Sequence, residues 1–184
     1  MPLATPTRRM PQAQVVGEFL SDLLGREVDV RDADELDLDE RAVVSASLVD
    51  DEGDLAGAIV SDLAFAACTG ASLIVMPASV ATGAIAEGRL PESLRENYHE
   101  VANIMTALVN GPSVPHVRIA ELLDGVPDSI RDVVLRSSGR RTYRASVPGY
   151  GDGDVAIYAT SSRRRSSTET DGGVDVGVDG EAGS

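Results

Sequence analysis

Two kinds of hydrophobic spacing alternate along this chain. In residues 12–24, Val15, Val16, Phe19, Leu20, Leu23 and Leu24 recur three and four positions apart, the period of a helix with one buried face. Gly25 follows as a C-terminal cap, so a first helix is predicted over 12–24. The period then shortens. Residues 27–30 alternate, 42–49 are β-prone, and 55–60 form an apolar run after Asp50-Asp51-Glu52-Gly53-Asp54, a hairpin-turn composition. These three segments are expected to form a meander. Ser61 or Asp62 is placed to cap a second helix running to about Gly70, or on through Leu73 to Met76.

Pro77 and Gly83 read as interruptions, Pro91-Glu92-Ser93 restarts the helical period, and Asn110-Gly111-Pro112 stops it. Between those signals, at about 100° per residue, Leu94, Tyr98, Val101, Met105 and Leu108 share one face. Glu96, Asn103, Ala107 and Asn110 fall on the opposite face, with Glu100 at its flank. The apolar face accounts for folding, whereas the acid and amide groups are free for function. Further on, 116–123 reads as a strand and 127–135 as a short helix. Residues 142–147 and 154–159 form a final hairpin around Pro148-Gly149-Tyr150-Gly151-Asp152-Gly153. The expected fold class is α+β, an antiparallel-rich sheet covered by helices. No internal repeat is visible.

The chain has 184 residues, enough for one domain with a substantial core. The expected organisation is a flexible N-terminus at 1–11, a domain at 12–160, and a disordered acidic tail at 161–184, where Ser, Arg, Thr, Asp and Gly dominate. Thirty acidic residues against sixteen basic ones, none of them lysine, give a net charge of −14. That balance argues against nucleic acid or an anionic membrane as partner, because both require a cationic patch. A partner neutral or basic at its contact is expected instead. No stretch approaches the roughly 18 apolar residues of a membrane span, so a soluble, cytoplasmic location is expected. The one cysteine, Cys68, lies in an apolar run and reads as a buried, inert thiol.

Other candidate chemistry is thin. Neither His99 nor His116 has ligand-type partners at helical spacing, so no metal site is expected. The acids Asp32, Asp34, Glu35, Asp37, Asp39 and Glu40 lack the turn glycine and closing glutamate of a cation loop. The glycines at 149–153 lack the lysine and following helix of a phosphate cradle. Glu100 and Asn103 are the exception, because three residues apart on a helix they stand side by side. That spacing by itself also suits an ordinary solvated helix face.

The longer run Glu100-Val101-Ala102-Asn103-Ile104-Met105-Thr106-Ala107-Leu108-Val109-Asn110-Gly111 resembles the E-x-x-N helix of the CheC/CheX/FliY chemotaxis phosphatase family. The surrounding order of elements is similar to the single-motif, CheX-like layout over 12–160. The resemblance implies a protein phosphatase acting on the aspartyl phosphate of a CheY-like response regulator. Asn103 would orient the attacking water, and Glu100 would pair with the regulator's lysine. Glu96, Ala107 and Asn110 would help contact the partner. No cofactor of its own is implied, Mg²⁺ being supplied by the regulator, and a homodimer stays open. The sequence departs from the family pattern at Glu96, where Asp or Ser stands four residues before the glutamate. A non-catalytic adaptor that binds a response regulator or a flagellar switch component is the alternative.

Overall fold

The structure, a computed structural model, describes residues 8–39 and 43–161. Helix α1 (Ala13–Leu24) buries Val16, Leu20 and Leu24 and ends at Gly25, whose φ of 63° closes the helix in the left-handed region. Strand β1 (Asp29–Asp32) follows, then a hairpin of β2 (Val43–Val49) and β3 (Leu55–Asp62). The turn between β2 and β3 is the expected one: the Asp50 carboxylate accepts from the backbone N–H of Glu52 and of Asp54, and Gly53 takes φ 84°.

Strand β3 runs straight into α2 (Leu63–Leu73). Asp62 makes the junction, its carboxylate accepting from Phe65 N–H at 2.6 Å as the N-cap and from Asp154 N–H at 3.0 Å. Helices α3 (Ala78–Glu87) and α4 (Glu92–Met105) come next, α4 tightening into a 3₁₀ turn at Thr106–Leu108. Strand β4 (Arg118–Asp124), helix α5 (Asp128–Arg136), and strands β5 (Gly139–Val147) and β6 (Gly151–Ala159) complete the described chain.

The six strands form one sheet in the order β1-β5-β6-β3-β2-β4, and every neighbouring pair is antiparallel. The α+β expectation holds. The meander does not, because β1 pairs with β5, Asp29 opposite Ser146 and Asp32 opposite Tyr143, on the far side of the sheet from β2. Alternation identifies a strand but says nothing of its partner. Nor was a repeat legible, yet the sheet is built from two like halves. Each half supplies a helix and three strands, α1-β1-β2-β3 and α4-β4-β5-β6, and the first strand of each half pairs with the second strand of the other.

One face of the sheet carries the main core, where Val44, Ala46, Ile59, Tyr143, Val155 and Ile157 meet α1, α2 and α4. The other face carries a smaller cluster of Val60, Ala156 and Tyr158 against Ile130 and Val133 of α5, with Leu36 and Leu38 packed at its edge. Close approach requires glycine at two places. A Cβ on Gly153 would lie 2.1 Å from Phe65 N, so β6 can pass under the start of α2 only without a side chain there. A Cβ on Gly70 would lie 2.9 Å from Leu94 O, so Gly70 sets how closely α4 lies on α2.

Two further expectations are revised. Helix α3 occupies the stretch read as broken: Pro77 is its N-cap, a position where a fixed φ and a missing N–H cost nothing, and Gly83 is carried inside it. Residues 8–11, expected to belong to a flexible N-terminus, are held by the domain. Arg8 is buried and donates to Val109 O at 2.8 Å and to Pro115 O, while Pro11 O accepts from Tyr143 OH at 2.8 Å. Residues 1–7, Glu40 and nearly all of the expected 161–184 tail lie outside the described residues. Among those described, no helix is long and apolar enough to cross a membrane.

Candidate functional site

Helix α4 is fixed on three sides. Its buried face is Leu94, Tyr98, Val101, Ala102 and Met105, all fully buried, close to the face expected from spacing. Leu108 is only half-buried, because the chain tightens after Met105 and turns that position aside. Tyr98 anchors the helix: its ring meets Phe65 edge to face at 6.2 Å, and its hydroxyl donates to Ser61 Oγ at 2.8 Å. Burial pushes the Tyr98 phenol well above its usual pKa.

On one flank, Arg95 reaches β4, donating to Asp124 Oδ1 at 2.6 Å and Leu122 O at 2.7 Å. At the C-terminal end, Asn110 closes the loop onto Val117, its Nδ2 donating to Val117 O at 2.9 Å and its Oδ1 accepting from Val117 N–H at 2.8 Å. Arg8 holds the same loop through Val109 and Pro115. Burial lowers the Arg8 pKa, partly offset by nearby Asp50.

The outer face bears Glu96, Glu100, Asn103 and Ala107, all exposed. Among the described residues the side chains of Glu96, Glu100 and Asn103 make no hydrogen bond or ion pair, while the Asn103 carbonyl accepts from Thr106 Oγ1 at 2.7 Å. Three of the four expected contact positions besides Asn103 thus stand open on the ridge. Asn110, expected among the partner contacts, has its amide committed to Val117 instead. Arg8 and Arg95 are not marked as anchors by the sequence, and Ser61, expected as a possible helix cap, instead accepts from Tyr98 OH. Each acts across more than twenty residues, and no local pattern announces such a contact.

Clefts lie away from the ridge, one between residues 31–37, Asp62, Arg144 and Asp154, another beside Arg140, Thr142 and Tyr158. Among the described residues no three His, Cys, Asp or Glu side chains are grouped to hold a metal. Cys68 is buried, and desolvation aided by Asp62 and Asp152 pushes its thiol up to about 11, so it is mostly protonated at neutral pH. Among the described residues, no side chain is hydrogen-bonded or ion-paired to the exposed side chains of Glu100 and Asn103.

No family model matches the sequence, and no curated protein does either. Solved structures do match in three dimensions. The FliM-SpeE complex from H. pylori aligns at a TM-score of 0.58 and 10% identity, over 80% of this chain and 81% of that one. The FliM middle domain from Vibrio alginolyticus gives 0.55 at 9% identity, over 80% and 88%. The CheX-CheY complex from Borrelia burgdorferi gives 0.50 at 15% identity, over 83% and 99%. The chain shares its fold with these FliM and CheX structures. Identities this low establish architecture and leave activity to be argued from the site.

Proposed function

We propose that this chain docks α4 against a phosphorylated CheY-like response regulator and hydrolyses its aspartyl phosphate. The observation that carries the reading is the pair Glu100 and Asn103, exposed and unengaged among the described residues, on a helix held rigid by Tyr98 and Arg95. A carboxamide accepts and donates at once, so Asn103 can hold a water by both its oxygen and its hydrogens and aim it at phosphorus. The P–O bond to the aspartate breaks as the water oxygen bonds phosphorus, leaving a free carboxylate and inorganic phosphate. Glu100 supplies a carboxylate for a cationic side chain of the partner and so sets the docking register. Phosphoryl transfer asks mainly for positioning and charge neutralisation. Mg²⁺ held by the regulator would neutralise phosphoryl charge.

The fold supports this reading, and so does one structural neighbour, a CheX in complex with CheY. A second reading is favoured by the FliM likenesses, which have the higher TM-scores: an adaptor that binds a regulator or a flagellar switch component without hydrolysis. Asn103→Ala separates the two. With a phosphorylated CheY-like receiver domain, the variant should slow dephosphorylation about 100-fold relative to the unaltered protein while still binding. Decay unchanged by the substitution, with binding retained, would leave the adaptor reading.

A further inference from the structure

The turn between α2 and α3 places two large apolar side chains in solvent. Ile74 is 57% exposed and Val75 is 73% exposed, and Pro77 beside them is exposed as well. Val75 has φ 57°, the one residue other than glycine with a positive φ among those described. The left-handed region crowds a Cβ, and a β-branched side chain there is under steric strain. Little buried contact offsets that strain, since most of the side chain faces outward.

The strained turn is held firmly all the same. Val75 N–H donates to Ser72 O at 3.1 Å and Met76 N–H to Ala71 O at 2.9 Å, closing the end of α2. Tyr150 OH donates to Met76 O at 2.6 Å, and Asn97 Nδ2 approaches Met76 Sδ at 3.8 Å. Asn97 belongs to α4 and lies one turn before Glu100, on the flank opposite the one Arg95 ties to β4. The turn that carries the two apolar side chains therefore meets α4 at Asn97, one turn before Glu100.

We infer that Ile74 and Val75 form the apolar half of the docking surface whose polar half is Glu96, Glu100 and Asn103. This rests on the regulator-docking reading above and specifies the partner's matching face. That face should present a cationic side chain toward Glu100, with apolar side chains next to it that cover Ile74 and Val75. Charge complementarity argues for such an occupant. Glu92, Glu96 and Glu100 share α4, and its one arginine, Arg95, is spent on β4.

Val75→Asn tests it, because asparagine tolerates the left-handed region and removes the apolar surface without straining the turn. The full chain's affinity for the phosphorylated CheY-like receiver domain, measured by calorimetry, should fall about tenfold, the worth of burying one valine. Thermal unfolding should stay at or above that of the unaltered protein, and Val75→Ile should bind as well as valine does. Unchanged affinity in Val75→Asn overturns the inference while the α4 reading stands. If the unaltered chain binds no receiver domain, both fall together. Loss of self-association in Val75→Asn, with receiver binding intact, would assign Ile74 and Val75 to a second copy of the chain and overturn the inference.

Discussion

Helices α1 and α4 open the two halves of the sheet, and each carries an acid followed three residues later by a small polar side chain: Glu18 with Ser21, and Glu100 with Asn103. Their fates differ. The Ser21 hydroxyl donates to Gly17 O at 2.7 Å and accepts from Val28 N–H at 2.8 Å, so it joins α1 to the chain entering β1. Gln14 donates to the Glu18 carboxylate at 2.9 Å. On α4, by contrast, neither Glu100 nor Asn103 spends its side chain on a described residue. The same spacing thus serves internal structure in one half and faces solvent in the other. What separates them is whether neighbouring backbone comes within hydrogen-bonding reach.

The largest effect should come from the buried faces. Tyr98→Ala removes a fully buried ring and its bond to Ser61, and should cost about 3–5 kcal/mol in denaturant unfolding. Leu20→Ala, the corresponding kind of truncation in α1, should cost about 2–5 kcal/mol. Equal and small losses in both would mean that neither helix is seated as described.

A finer test sets Ser21 against Asn103. Ser21→Ala strips the Val28 N–H of its partner and should lower stability by about 1–2 kcal/mol, whereas Asn103→Ala should stay within about 0.5 kcal/mol. The reverse order in thermal melts would break the contrast between the helices.

The smallest effect lies at β1. The Asp32 carboxylate takes a two-pronged bond from Arg141, at 2.6 and 2.8 Å, and that bond holds its pKa below the ordinary carboxylate range. A lowered folded pKa means the ionised group stabilises the fold. Its contribution is complete above the ordinary range and lost as pH falls through the lowered value. Amide chemical shifts across β1 and β5 should titrate there in the unaltered protein and not in Asp32→Asn. A titration that survives the substitution would assign the edge to another group.

Local chemistry made several elements readable in advance. Gly25 ends α1, Asp62 caps α2, Asp50 and Gly53 make the β2–β3 turn, and the three-and-four spacing of Leu94, Tyr98, Val101 and Met105 turns α4 the right way. Each is settled within a few residues, where dihedral preference and side-chain period act. Helix α3 escaped because its apolar and small residues carry little periodic contrast, and because Pro77, taken for a break, is a start. Asn110 looked like part of the ridge because helical spacing was extended past the point where the helix tightens.

The sequence by itself determined most of the helices and strands, α3 excepted, which side of α4 is apolar, and that an acid and an amide stand together on the other side. Only the tertiary structure decided that β1 crosses to β5, that the two halves interlock, that Arg8 and Asn110 are anchors, and that the turn carrying Val75 meets α4 at Asn97. The reason is range. Periods and caps are properties of neighbouring residues, whereas strand partners, pinned loops and shared surfaces depend on loop closure and on packing of segments tens of residues apart.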